Sequence, residues 1–352
     1  MNYDVLVIGG GPAGTAAALS AACTGAKVAL CEQRKSMYPT RCAGLILTQY
    51  WPAAEYLAKT PLNLIKATIN TMHIITNDGE LSVPTKGIIV DRAKFDTYQI
   101  QQCVEAGVTV FQPKRVTKFL HEQNMVTGII CSDNTEIQAA HIIAACGPKS
   151  RLLASIQPAV AQGSYYAIAL QTELNQPWLP NSITTVFDHC MPNGFYGWVF
   201  PGQNDGVSIG TAVNYTNKEK ALPALLSFLD YCRIKWSIDA PTGPITGGLV
   251  PLRQPRFPKL KNLTVIGDAA GHLISDWFAG INLSVAYGLI AGKAVSQGTK
   301  PFAQLDKLVH ESINRRFQLM QTNYNISDLA TIIIAPWTAE QKESENEALF
   351  RT

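Results

Sequence analysis

Apolar positions follow several rhythms along this chain. Asp4-Val5-Leu6-Val7-Ile8 and Lys27-Val28-Ala29-Leu30-Cys31 carry short continuous apolar runs, the pattern of strands buried on both faces. Between them, Thr15 to Thr24 is rich in alanine and favours helix. Strand, glycine turn, helix and strand make a βαβ opening, and parallel strands imply an α/β layer architecture. A polar, turn-rich loop from Gln33 to Cys42 comes next, with a helix expected after it. Thr68 to Thr76 and Glu80 to Pro84 read as strands joined by Asn77-Asp78-Gly79, a hairpin signal. Arg92 to Glu105 reads as helix, and Val108 to Phe119, Val126 to Cys131 and Glu136 to Cys146 read as strands.

Alternation and turn signals dominate from Ser164 to Val213, which predicts an antiparallel sheet. Lys218 to Tyr231 is an amphipathic helix by spacing. Leu263-Thr264-Val265-Ile266 brings back a buried strand, Ala269 to Ser296 reads as one long helix, and the chain from Pro301 on is expected to be helical. Buried parallel-type strands therefore flank an alternating middle. The simplest architecture is a Rossmann-like nucleotide domain at 1–65, 86–160 and 259–300. An antiparallel substrate domain at 66–85 and 161–258 interrupts it, and a helical segment occupies 301–352.

Composition narrows the classes. With 47% apolar and 16% charged residues, the 352-residue chain has enough apolar material for a large core. A net charge of +3 without runs of either sign gives no electrostatic footprint for nucleic acid. It neither requires nor excludes weak attraction to an anionic membrane. The eight cysteines include no CxxC pair, so no metal site is expected. The first strand begins at Tyr3, so no signal peptide is expected and reduced thiols in the cytoplasm are the default. Gly280 to Val295, the longest apolar tract, falls short of the roughly 20 residues of a membrane span.

Two turns carry the chemistry. Gly9-Gly10-Gly11-Pro12-Ala13-Gly14 fits GxGxxG after a buried strand and before a helix. Gly9 makes the tight turn, Gly11 lets backbone approach a pyrophosphate, and Gly14 lets helix pack on strand. The helix N-terminus offers free N–H groups to the anion. Glu32, at the end of the second strand, is placed for ribose hydroxyls, as in FAD or NAD. Far along the chain, Val265-Ile266-Gly267-Asp268-Ala269-Ala270-Gly271 puts an acid at a strand tip.

This second turn resembles the late FAD motif of the p-hydroxybenzoate hydroxylase-like flavoproteins. The resemblance implies FAD as cofactor, with Gly267 and Asp268 at the ribityl chain and backbone N–H groups near Gly280, Ile281 and Asn282 facing the flavin ring. Further segments resemble the geranylgeranyl reductase branch: Arg41-Cys42-Ala43-Gly44, Val90-Asp91-Arg92, Gly248-Leu249-Val250-Pro251 and, most specifically, Tyr196-Gly197-Trp198-Val199-Phe200-Pro201. On that basis Arg41, Cys42, Ala43 and Arg92 join the cofactor shell, which Pro12, Ala13, Gln33, Val116 and Gly147 complete. Tyr196, Trp198, Phe200, Pro201 and Trp277 are the expected substrate contacts.

Two departures stand out. Ala145-Cys146-Gly147-Pro148 has Cys146 where the hydroxylases carry an acid, which puts direct reduction by NAD(P)H in question. Trp277 and Phe278 replace part of the family's Gly-Glu-Gly turn. The resemblance implies reduction of carbon–carbon double bonds in an isoprenoid or other apolar substrate by hydride from reduced flavin. Cys42 is the candidate catalytic residue, donating a proton or only packing, and NAD(P)H or another reductant is the candidate electron donor. The alternatives are a flavin monooxygenase or halogenase, and a flavin-binding isomerase, cyclase or redox-responsive binding protein. His272, next to the late turn, is a further candidate for cofactor contact, more simply read as a packed surface residue, and His189-Cys190 reads as a loop pair. Peripheral membrane contact is left open.

Overall fold

The computed structural model describes residues 2–37, 42–48, 53–188, 191, 195–202, 206–239, 243–275, 277–297, 302–319, 321–322 and 325–334. The chain opens with β1 (Asn2–Ile8), α1 (Pro12–Cys23) and β2 (Val28–Cys31). β3 (Leu45–Leu47), the short helix α2 (Ala54–Ala58) and a hairpin of β4 (Ile65–Thr76) and β5 (Glu80–Val90) follow. Helix α3 (Arg92–Glu105) leads into β6 (Thr109–Phe111), β7 (Val116–Glu122), β8 (Met125–Cys131), β9 (Glu136–Ala144) and α4 (Arg151–Ala154). Next come β10 (Tyr166–Leu174), β11 (Ser182–Phe187), β12 (Gly197–Pro201), β13 (Val207–Asn214), α5 (Ala221–Trp236) and β14 (Thr246–Pro251). The last elements are β15 (Leu263–Val265), α6 (Ile281–Gln297), α7 (Ala303–Leu319) and α8 (Ile326–Leu329).

Seven strands form the first sheet, ordered β6-β2-β1-β9-β8-β7 with β15 also paired to β9. β1 and β15 run parallel to β9 from either side, and both Ile8 and Val265 register with Ala144. The glycine turn after β1 and the Gly-Asp turn after β15 therefore leave the sheet at one edge. Helix packing tightens the same junction. Gly288 and Gly292 lie four apart on one face of α6, and a methyl there would stand 2.4 Å from the Ala13 carbonyl oxygen or 2.3 Å from that of Ala17. The small buried surface of Ala13, Ala16, Ala17 and Ala21 on α1 accepts this close approach.

Eight strands form the second sheet, ordered β14-β10-β13-β12-β11-β4-β5-β3. Its outer face packs on α5 through Val199, Val207 and Ile209 against Leu225, Phe228 and Cys232. Its inner face, carrying Met72, Ile183, Thr185, Trp198 and Phe200, lines a cavity shared with the first sheet.

Several expectations need correction. The strands within Ser164 to Val213 pair antiparallel as expected, but the sheet they build is mixed, because β11 also runs parallel to β4 of the early hairpin. The strand expected from Val108 to Phe119 breaks between β6 and β7 at Pro113, which has no N–H for a ladder bond. The stretch after the Gln33 loop gives β3 before any helix, and β5 runs through the boundary expected at residue 86. The helix expected from Ala269 begins only at Ile281. Gly271 (φ +75°) and Phe278 (φ +49°) hold left-handed backbone, which helix does not allow. The helix expected from Lys218 starts at Ala221 after a 3-10 turn and runs on to Trp236. No helix among the described residues is long and apolar enough to cross a membrane.

Candidate cofactor and substrate site

The first glycine turn is held by crowding at two positions and by none at the third. A methyl on Gly14 would sit 1.8 Å from the Gly9 carbonyl oxygen, and one on Gly9, at φ +107°, would sit 2.3 Å from that of Ala145. Gly11 is different. Its φ is −78°, which suits any residue, and a methyl there would meet nothing within 4 Å. Neither backbone strain nor crowding inside the protein calls for glycine at 11, so the open space over it suits a group that approaches the backbone from outside. The first-turn N–H groups of α1, which has no side-chain cap, point to the same place.

Two adjoining cavities meet over this turn. The smaller, about 410 Å³, is lined by Gly9, Gly11, Glu32, Gln33 and Val116 with Lys114, Arg115, Lys149 and Arg151 at its rim. The larger, about 800 Å³, is lined by Gly11, Pro12, Ala13, Gln33, Cys42, Ala43, Arg92, Gly147, Asp268, Gly280, Ile281 and Asn282. Tyr196, Trp198, Phe200 and Trp277 line the same cavity. Gly11, Gln33, Arg34, Ala145, Cys146, Gly147 and Pro148 border both, so the two make one elongated trough. It reaches from the cationic rim to the inner face of the second sheet, the proportions an extended dinucleotide with a further ring needs.

Some expected residues lie off the trough. Gly14 packs under Gly9, and a methyl on Gly267 would sit 2.8 Å from the Ala13 Cβ, so both glycines serve helix packing. Pro201 ends β12 without lining either cavity. His272 is buried, with its ring stacked on Tyr287 at 3.5 Å between centroids. Burial pushes its imidazole down to about 3, so it stays neutral and belongs to the packing. Arg41, His189 and Cys190 fall outside the described residues.

Glu32 is more committed than its position in the sequence suggests. One carboxylate oxygen accepts the Gly10 N–H at 2.7 Å, and the other accepts Arg34 N–H at 2.7 Å and Arg34 Nε at 3.0 Å. It clamps the glycine turn as well as facing the smaller cavity, and a ribose hydroxyl would take a remaining lone pair. Asp268 has the opposite character. Among the described residues its carboxylate accepts no hydrogen bond, and burial raises its carboxyl to about 6, offset by the Arg92 charge. A carboxylate on a cavity wall without donors suits a hydroxylated ligand. FAD fits both features: its pyrophosphate would take the space over Gly11, and its ribityl hydroxyls would supply the donors Asp268 lacks.

Arg92 anchors the wall between them. Its Nη2 donates to both Asp96 oxygens at 3.1 Å. Burial opposes its charge, but Asp96 and the Cys42 sulfur hold the guanidinium above its ordinary range. Cys42 is exposed, and its sulfur accepts the Gly44 N–H at 3.5 Å. Cys146 borders both cavities, and burial pushes its thiol up to about 11, so it brings no negative charge there. Asn282 ties α6 to β3, donating to the Leu47 carbonyl at 2.7 Å and accepting the Leu47 N–H at 3.2 Å, which fixes the helix N-terminus at the cavity.

The far half of the cavity is apolar and aromatic. Tyr196 stacks on Phe278 at 5.5 Å and donates its hydroxyl to the Trp277 carbonyl at 2.6 Å. Met72, Leu45, Leu47, Ile183 and Leu249 complete this wall. The sequence reading missed Leu45, Leu47, Met72, Ile183 and Gln171. The alternation in Thr68 to Thr76 carried Met72 as a signal, but only the parallel β4–β11 pairing brings that hairpin to the site.

Comparison with known proteins agrees with this geometry. Residues 4–155 match the family model described as FAD dependent oxidoreductase. Digeranylgeranylglycerophospholipid reductase 2 of Methanosphaera stadtmanae is 29% identical over 319 residues, covering 85% of this chain and 79% of its own. A geranylgeranyl bacteriochlorophyll reductase-like protein of Thermoplasma acidophilum superimposes with a TM-score of 0.81 at 20% identity, covering 98% of this chain and 99% of its own. A flavin-dependent brominase variant superimposes at 0.73 with 18% identity, covering 99% and 97%. These two share the two-sheet fold of this chain. Sequence matches and fold converge: residues 4–155 match FAD dependent oxidoreductases, and over most of its length the chain is similar to geranylgeranyl reductase-like proteins.

Proposed function

We propose that the protein reduces carbon–carbon double bonds of an isoprenoid or other apolar lipid. One observation carries this reading: the cavity bearing Asp268, Gly280 and Ile281 also contains an apolar vault of Met72, Ile183, Trp198, Phe200, Leu249 and Val250. The names of the relatives and of the geranylgeranyl reductase-like structural neighbour support the same chemistry.

Gly9, Gly11, Pro12 and Ala13 would hold the pyrophosphate against α1, with Glu32, Gln33 and Val116 beside the adenosine half. Asp268 and the backbone of Gly280, Ile281 and Asn282 would hold the ribityl chain and ring edge, with Ala43, Arg92 and Gly147 at its sides. When bound and reduced, FAD supplies a hydride to one alkene carbon. The chain must then place the alkene, exclude water and provide a proton. The vault does the first two, since its apolar walls bind a prenyl chain along its length. We assign the proton to Cys42 Sγ, which lines the cavity and is open to solvent for reprotonation. NAD(P)H or another reductant would be the electron donor.

The test is anaerobic. Holoprotein reduced with dithionite is mixed with geranylgeraniol, and flavin absorbance near 450 nm is followed with mass analysis of the lipid. Reoxidation with a gain of two hydrogens per flavin is expected. A flavin that stays reduced across a panel of prenyl lipids, yet reoxidises in oxygen with product hydroxylation or halogenation, would replace this reading.

A further inference from the structure

We infer that Gln171 is the substrate anchor of this cavity: its amide hydrogen-bonds an uncharged oxygen of the isoprenoid, and the site takes the lipid by a hydroxyl, ether or carbonyl and not by a diphosphate. The inference rests on the proposed alkene reduction and specifies its substrate.

Gln171 lies in β10, opposite Gly210 of β13, and Gly210 lies opposite Trp198 of β12. Residues in register share a face, so Gln171 and Trp198 both look into the cavity they line. The glycine between them makes room for the indole, because a methyl on Gly210 would sit 2.1 Å from Trp198 Cζ2. Gln171 is only 8% exposed. Among the described residues its amide has no hydrogen-bond partner, and the side chain borders the cavity. A ligand oxygen and donor would satisfy it.

The neighbouring polar groups are committed elsewhere. Thr185 Oγ1 donates to the His73 carbonyl at 3.4 Å, and Tyr196 donates to Trp277. The charge of the wall decides the class of headgroup. Its described cations are Arg34 and Arg92. Arg34 is paired with Glu32 at 3.0 Å and Arg92 with Asp96 at 3.1 Å. Among the described residues of the wall a diphosphate would meet no uncommitted cation, whereas a neutral oxygen needs only the amide.

The experiment compares three C20 probes with wild-type holoprotein and the Gln171→Leu and Gln171→Met variants: geranylgeraniol, the matching tetraene hydrocarbon without the hydroxyl, and geranylgeranyl diphosphate. The readout is the second-order rate constant for reoxidation of the reduced flavin. Wild type should prefer the alcohol to the hydrocarbon by about tenfold, the worth of one hydrogen bond with a buried partner. It should prefer the alcohol to the diphosphate by at least as much. Both variants should treat alcohol and hydrocarbon within about twofold, with the flavin spectrum unchanged. Equal wild-type rates for alcohol and hydrocarbon, a preference surviving in both variants, or a preference for the diphosphate overturns the assignment. So does a shifted flavin spectrum with unaltered preference, which would put the amide on the cofactor. If no prenyl compound reoxidises the flavin, the alkene-reduction reading fails. Geranylgeraniol binding by tryptophan quenching then still tests Gln171: about tenfold weaker binding in both variants supports the anchor, and equal binding sinks it.

Discussion

A single methyl group at Gly11 separates fold from cofactor binding more cleanly than any other change. The Gly11→Ala Cβ has no protein atom within 4 Å, and φ is −78° there, so the apoprotein accommodates it. Two small opposing effects act on stability. Alanine restricts the unfolded chain, worth about 0.4–1 kcal/mol, and is a slightly poorer N-cap than glycine, by a few tenths. The net change is below about 1 kcal/mol, which in a chain of this size moves the apoprotein Tm by no more than about 3 °C. Bound pyrophosphate feels the methyl directly. Pushing it off the backbone removes one or two hydrogen bonds to a charged group, at about 1.5–3 kcal/mol each. A loss near 3 kcal/mol weakens FAD binding by roughly 150-fold. The assay is titration of apoprotein with FAD by flavin fluorescence, beside a thermal melt of the apoprotein. Gly14→Ala is the contrast: its methyl would sit 1.8 Å from the Gly9 carbonyl oxygen, so it should unfold the apoprotein itself. The reasoning fails if Gly11→Ala binds FAD within about threefold of wild type, or if its apoprotein melts as early as that of Gly14→Ala.

Other perturbations read other parts of the account. Asp268 is held protonated to about pH 6 in the folded apoprotein against 3.8 in the unfolded chain. Its contribution to apoprotein stability is therefore complete below pH 3.8 and lost as pH rises through 6. FAD hydroxyls need the ionised form, so FAD affinity should climb up to about tenfold per pH unit below 6 and level off above it. The Asp268→Asn profile should be flat, as isothermal titration at pH 5, 6 and 7 would register. Asn282→Leu removes both bonds to Leu47 and leaves that buried backbone unpaired. Denaturant unfolding should show a loss of about 2–4 kcal/mol, with weaker FAD binding. Phe278→Gly relieves left-handed backbone worth about 1–2 kcal/mol but gives up burial and stacking on Tyr196 worth about 2–3 kcal/mol. A net loss near 1 kcal/mol by denaturation, with FAD still bound, is expected.

Local pattern made the nucleotide half legible. The continuous apolar runs of β1 and β2, the glycine turn and Glu32 all sit within one βαβ unit, so sequence neighbours are also spatial neighbours. The late Gly-Asp turn was readable from its motif, whereas the role of Gly288 and Gly292 in seating α6 on α1 emerged only from the packing. Non-local pairing hid the rest. Nothing in the chain order says that β4 joins β11 in parallel, which is what carries Met72 to the vault. Gln171 was invisible for a similar reason, since a glutamine in an alternating strand looks solvent-facing until the register with Gly210 and Trp198 turns it inward. The long helix expected from Ala269 failed because propensity does not register Gly271 pressed on the Arg253 backbone, where a methyl would sit 2.3 Å from its carbonyl oxygen.

The central claim is that one FAD spans both cavities, from the cationic rim beside Glu32 to Asp268. Competition binding addresses it directly: apoprotein is titrated with FAD alone, then with ADP or riboflavin added as separate halves. The account predicts one FAD per chain, displacement by ADP or by riboflavin only at far higher concentration, and ADP binding lost in Gly11→Ala but kept in Asp268→Asn. A folded protein that takes up no FAD, or one whose ADP binding depends on Asp268 and not on Gly11, would contradict it.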